Sequence, residues 1–205
     1  LNDKIKSKSS ISNSFLEIVR SSYSNKDKHY TQNYNFLLFY TTLAILINNK
    51  NYEAIYIKGQ LLQLIGDYKY AEATYLKIPE NTNLFLDAQR NIAFNYSIEN
   101  IFDNAENKII EIVNNNAEDY ELKKILADFY RIKKKYDLAI NLYSELIENN
   151  SNDIWYMFYL RGICYEQSDN WKKAEKDFIK SLKIKRNSPN VLNYLAYGWI
   201  ERDMK

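Results

Sequence analysis

Covalent chemistry needs a nucleophile, a general base or a cluster of metal ligands held in a cleft, and this chain is poor in all three. It contains one histidine, His29, and one cysteine, Cys164. His29 sits in the polar stretch from Asn25 to Thr31 and reads as a solvated loop residue. Cys164 lies in an apolar stretch two residues after Gly162. There a small buried hydrophobe is the expected role and a reactive thiol the remoter one. A single cysteine excludes an internal disulfide and a thiolate cluster, and one histidine leaves no basis for zinc chemistry. Carboxylates are plentiful, but no spacing fixes a pair in a cleft. Glu175 and Asp177 fall on the second helix of a helix pair, away from the face where a ligand would sit. No glycine-rich phosphate loop is present in a chain with only 4 Gly. The sequence calls for no catalytic residue, no metal and no cofactor.

What it carries instead is a period. A small residue returns every 34 or 35 positions, as Gly59, Ala93, Ala127, Gly162 and Ala196. Three residues after each come Leu62, Tyr96, Tyr130, Tyr165 and Trp199. Tyr68, Phe102, Tyr136 and Trp171 follow, then Ala71, Ala105, Ala139 and Ala174. The series closes with Tyr75, Ile109, Tyr143 and Phe178, then Ile78, Ile112, Leu146 and Ser181. Self-similarity at this period means a supersecondary unit too small to bury its own face, stacked on copies of itself. With 46% hydrophobic residues each unit has apolar surface to pack, and 2 Pro with 4 Gly suit a nearly all-helical chain. The expected fold is an all-α, right-handed α-solenoid of helix-turn-helix repeats.

Within a unit the helices can be placed. Trp155, Phe158, Gly162 and Tyr165 share one helical face, Ser168, Asp169 and Asn170 interrupt it, and Trp171, Ala174, Phe178 and Ser181 mark a second helix. Asp169 or Asn170 is the expected N-cap of that helix. Four units read clearly, at 52–85, 86–119, 120–154 and 155–188. The segment 189–205 reads as the first helix of a fifth, with Ser188 capping and Pro189 in the first turn. Upstream, 13–51 reads as a degenerate or capping helix pair with Asn25 and Lys28 in core slots, and 1–12 as a flexible Lys- and Ser-rich tail. Pro79 should end a second helix at Ile78. Because the chain opens at Leu1 and ends soon after a new unit begins, it reads as an excerpt of a longer protein.

These slots resemble the tetratricopeptide repeat, TPR. The matching stretches are Arg161 to Tyr165 with Trp171 to Ala174, Leu126-Ala127 to Tyr130 with Tyr136 to Ile140, and Gly66-Asp67-Tyr68 to Ala71. The likeness covers 52–205 well and 13–51 poorly. The usual proline of the inter-repeat turn is replaced by Ala117, Ser151 and Arg186. A sister class of RNA-reading repeats has nearly the same period, but the alternating aromatic and alanine slots and the modest charge disfavour it. The chain is also similar to bacterial multi-TPR proteins that carry elements like Ile78-Pro79, Trp171 to Asp177 and Pro189 to Trp199. That resemblance implies further repeats, export to the cell envelope (the cytoplasm being the alternative) and no catalytic residues.

In such an array the first helices line the concave side. By register the candidate groove is Tyr56 and Gln60, Arg90 and Phe94, Lys124 and Asp128, Tyr156 and Tyr159, and Asn193 and Tyr197. Aromatic rings supply contact area, and amides satisfy the backbone of an extended or helical peptide. On this reading Tyr159→Ala weakens partner binding and leaves helicity in place. A carboxylate clamp for a chaperone tail is absent, because Arg90 is followed one turn later by Phe94, and Lys124 by Asp128. The 19 Tyr come with many Asn, Lys and Ile, a bias that AT-rich coding alone produces, so the groove rings also read as ordinary half-exposed residues.

A net charge of +2 does not call for a nucleic-acid partner. The clusters Arg131, Lys133 to Lys135 and Lys183, Lys185, Arg186 sit at helix ends, where cations complement the macrodipole. No stretch is long and apolar enough to span a bilayer. The function expected is a protein-interaction scaffold for a peptide or partner domain. The alternatives are a structural arm of a larger protein, and self-association through the edge of Leu192, Leu195 and Trp199.

Overall fold

The computed structural model describes residues 2–24, 33–98, 102–149 and 153–202, and His29, Asn25 and Lys28 lie outside them. Among the described residues every regular element is a helix. The chain divides into two compact units, Leu1–Asn104 and Ala105–Lys205. The first holds α1 (Asn2–Ser24), α2 (Tyr34–Ile47), α3 (Tyr52–Leu64), α4 (Tyr68–Tyr75) and α5 (Phe85–Ser97). The second holds α6 (Ala105–Asn115), α7 (Tyr120–Ile132), α8 (Tyr136–Glu148), α9 (Ile154–Gln167), α10 (Trp171–Ile184) and α11 (Pro189–Glu201).

The turn inside three of the helix pairs, α3/α4, α7/α8 and α9/α10, is built the same way. Gly66, Lys134 and Asp169 occupy one repeat position, and all have positive φ, at 84°, 59° and 59°. The following amide reaches back over the helix end: Asp67 N to Leu62 O, Lys135 N to Tyr130 O and Asn170 N to Tyr165 O, each at 2.8 Å. This six-to-one bond closes the C-terminus of the first helix and reverses the chain. Asp67 then caps α4 by accepting from Tyr70 N. Asn33, Asn51 and Asp119 cap α2, α3 and α7 in the same manner. Asn170 and Ser188 do occupy N-cap positions, but neither side chain makes a capping bond.

Close packing explains the small residues. A Cβ built on Gly59 would fall 2.4 Å from the Tyr75 ring, and one on Gly162 2.6 Å from the Phe178 ring. The rings of the second helix therefore lie directly on the backbone of the first. Tyr75, Tyr143 and Phe178 are among the largest fully buried side chains, and Ala71, Ala139 and Ala174 beside them are also fully buried. At Ser181, where other units place Ile or Leu, the hydroxyl donates to the carbonyl of Trp155 on α9 at 2.8 Å.

Two expectations need correcting. Residues 2–12, expected within a flexible tail at 1–12, are helical, because α1 begins at Asn2. Ser12 is fully buried, donating to Ala44 O and accepting from Asn51 Nδ2, both at 2.8 Å. The core of the first pair is then supplied by Leu16 against Ala44 and Ala54, and by Val19 against Leu37 and Leu61, upstream of the repeat register. The second helix before Pro79 stops at Tyr75, three residues earlier than Ile78. Lys77 N and Ile78 N turn back to Thr74 O and Tyr75 O, so a tighter winding leads into the proline.

These contacts set two opposed outcomes for substitution. Gly162→Ala should lower stability by about 1–3 kcal/mol despite its better helix propensity, because the methyl has to displace Phe178. Lys134→Gly should raise it by roughly 0.5–1 kcal/mol by relieving a left-handed backbone. Denaturant unfolding of both variants checks the pair.

Candidate protein-binding face

In the first unit, Tyr56 and Gln60 of α3 come together. They line a cleft of about 780 Å³ with Tyr52, Glu53, Ile57 and the segment Asn81, Thr82, Asn83 and Leu84 that follows Pro79. The cleft exists because α4 is short: the chain from Leu76 to Leu84 runs as turns, and this places three polar side chains opposite α3. Tyr56 is oriented from behind. Its hydroxyl accepts from Asn91 Nδ2 at 3.1 Å, which leaves its own proton free to donate, and its ring lies 5.7 Å from that of Tyr75. Burial raises the Tyr56 pKa, with the Asp87 carboxylate adding to the shift, so the hydroxyl stays protonated. Gln60, Asn81 and Asn83 have no hydrogen-bond partner among the described residues. Arg90 is held by Asp87, one turn back, at 2.8 Å. Phe94 is 46% exposed.

In the second unit the face is a connected polar and aromatic strip. The Asp128 carboxylate accepts from Tyr143 OH at 2.7 Å and from Arg131 at 3.2 Å, with Lys124 Nζ 3.8 Å away. Lys124 Nζ in turn stands 6.0 Å from the centre of the Tyr156 ring. Burial, then Asp128, drives the Tyr143 pKa far above the usual tyrosine value. Arg131, in the last turn of α7 as its register places it, is also an ion-pair partner on this face. Asn193 and Tyr197 of α11 are exposed, Tyr197 at 63%.

Tyr159 does not belong to the face. It is 8% exposed, with its ring 5.7 Å from Tyr194 and 6.3 Å from Phe178. The register placed it one turn after Tyr156, but a three-residue step rotates a side chain further round the helix than a four-residue step does. Sequence reasoning passed over Asn91 and Asp87, and it read Tyr143 as a packing slot without its bond to Asp128. The signal for Asp87 was spacing, since it precedes Arg90 by three residues.

The remaining candidates for chemistry are occupied by structure. Asp177 is buried and takes both arms of Arg161, at 2.7 and 3.0 Å. Burial works to lower the Arg161 pKa, and this carboxylate outweighs it. Glu175 accepts from Trp199 Nε1 at 2.6 Å. The Cys164 thiol is fully buried, and burial pushes it up to about 12. Among the described residues no group of His, Cys, Asp and Glu is placed to hold a metal ion, and no helix is long and apolar enough to cross a membrane.

No protein-family model matches the sequence, and no curated protein aligns with it significantly. Solved structures do match. MamA from Desulfovibrio magneticus RS-1, residue 41 to the end, superposes with a TM-score of 0.65 at 15% identity, over 87% of this chain and 97% of that one. A second MamA crystal structure gives 0.65 at 16% identity, over 84% and 90%. MamA from AMB-1 gives 0.57 at 17%, over 73% and 81%. MamA is a TPR-repeat protein. The fold is a tetratricopeptide-repeat solenoid.

The burial of Tyr159 reverses the expectation for its removal. Tyr159→Ala should cost about 3–5 kcal/mol of stability, whereas Tyr197→Ala should fall within about 0.5 kcal/mol of the parent. Thermal melts of the two variants distinguish a core ring from a surface ring.

Proposed function

We propose that this chain is an interaction scaffold that docks a protein partner, as an extended or helical peptide segment, on the faces of its first helices. The mechanism is binding to a preformed surface with no covalent step. The cleft beside α3 carries the reading. Three unpartnered carboxamides, Gln60, Asn81 and Asn83, offer paired donors and acceptors that match peptide groups, and Tyr56 adds an oriented hydroxyl. In the second unit Lys124, Asp128, Tyr156, Asn193 and Tyr197 supply charge and ring area for the same purpose. No residue is assigned a catalytic role, and the surface assigned to a partner includes no nucleic-acid contact.

A second reading rests on the edge expected at Leu192, Leu195 and Trp199 of α11: Leu195 is buried, at 4% exposure, but Leu192 and Trp199 are exposed, with Ile200 beside them. We assign self-association to that edge. It expects a mass that rises with concentration and a Leu192→Ser/Ile200→Ser variant that stays monomeric. A wild-type chain that is monomeric at every concentration removes it.

The test of the main reading is affinity capture from the source lysate with wild type and with Gln60→Ala/Asn83→Ala. Gln60 is half-buried and Asn83 exposed, and neither side chain holds a hydrogen bond among the described residues, so helicity and melting temperature should stay unchanged. A partner held by wild type and released by the variant is the expected result. A partner held equally by both overturns the assignment of the cleft.

A further inference from the structure

Between Trp171 and Asn187 the sequence places seven lysine or arginine residues against two carboxylates, in a chain of net charge +2. Along the sequence the acids dilute the cations, but in the folded protein they do not. Asp177 is turned inward onto Arg161, and Glu175 is taken by the indole of Trp199. Three of the cations also fold back onto rings: Lys173 over Tyr165, Lys180 over Phe158 and Lys185 over Trp155, at 5.3, 5.0 and 3.9 Å. Lys172, Lys176, Lys183 and Arg186 remain exposed, and no carboxylate among the described residues pairs with them. Lys172, Lys176, Ile179 and Lys183 are spaced by four, three and four residues, so they form one straight stripe on α10.

Helix stability does not account for this stripe. Cations at a helix C-terminus complement the macrodipole, which covers Lys183, but Lys172 stands in the first turn of α10 where a positive charge opposes it. The first turn carries no acidic residue to compensate. A uniformly cationic strip kept at that cost fits an anionic surface. Its composition selects which kind. Ile179 is 37% exposed among the lysines, and the partly exposed Trp199 abuts the strip at Glu175. Lysine, aliphatic side chains and tryptophan together suit the headgroup boundary of a bilayer. A nucleic-acid reader would instead surround the cations with stacking rings, and here Tyr165, Phe158 and Trp155 are already covered by lysines.

We propose that the outward face of α10 is a peripheral docking surface for an anionic lipid membrane. Lys172, Lys176, Lys183 and Arg186 hold the headgroup charge, and Ile179 enters the boundary layer. This surface is separate from the cleft beside α3, so Gln60→Ala leaves it intact.

The experiment is sedimentation of the chain with phosphatidylserine–phosphatidylcholine vesicles, with phosphatidylcholine vesicles and with a DNA duplex as the other arms. Binding to the anionic vesicles alone, weakened by added salt, is expected. The Lys172→Gln/Lys176→Gln/Lys183→Gln variant should bind about a hundredfold more weakly, at roughly fivefold per lysine. Ile179→Ser, with every charge kept, should also weaken vesicle binding. Three results overturn the proposal: no binding to anionic vesicles, equal binding by the triple variant, or tighter binding to the duplex than to the vesicles.

Discussion

The contact on which this protein depends is an aromatic ring of one helix laid on the bare backbone of its partner. Gly59 receives Tyr75, and Gly162 receives Phe178, at distances that leave no room for a methyl group. Gly198 receives Trp171 in the same way, and Arg202 closes over the outer side of that indole at 4.6 Å. These contacts set the spacing of the pairs α3/α4 and α9/α10 and fix which side of α3 and α9 is buried. The opposite side is then left free, and every surface assigned to a partner lies there or on the outer side of a second helix. Repetition of the contact makes the surface a consequence of the packing.

The period and the helix pairs were legible in the sequence because close approach demands small residues, and small residues at a fixed interval are visible in a string of letters. The turn was partly legible. Gly66 and Asp169 tolerate positive φ, but Lys134 adopts it too, held there by the bond from Lys135 N to Tyr130 O. The direction of a polar side chain was not legible. Asp177 looks like a solvated residue of a charged run, yet it lies under Arg161, whose Nη1 also donates to Ser144 Oγ at 2.8 Å. That pair is formed across two helices, and neither neighbourhood alone reveals it. The same limit explains Tyr159, whose burial follows from Tyr194, 35 residues further along. It also explains α1, whose place is set by Ser12 bonding to Ala44, 32 residues away.

The two units present different chemistry on their first helices. Around α3 and α5 the groups are carboxamides, a tyrosine hydroxyl and an exposed phenylalanine, with the compensated ion pairs Arg20–Glu53 and Arg90–Asp87. Around α7 and α9 a carboxylate stands between two cations beside tyrosine rings. The first set offers hydrogen-bonding groups and the second offers charge. Rigidity matters to both, since a preformed face gives up little conformational freedom on binding. The network from Tyr75 through Gln63 to Asn95, with bonds of 2.6 Å at each step, ties α3, α4 and α5 together behind the cleft.

The central claim is that ring and backbone at Gly162 and Phe178 act as one unit. A double-mutant cycle measures it directly, with Gly162→Ala, Phe178→Leu and the combination compared by denaturant unfolding. If the methyl added by Gly162→Ala collides with the ring, the smaller leucine makes room. Gly162→Ala then costs at least about 1 kcal/mol less in the Phe178→Leu background than in wild type. Costs that add to within about 0.5 kcal/mol would show that the two sites are independent. That result would contradict the packing on which the fold and its exposed faces rest.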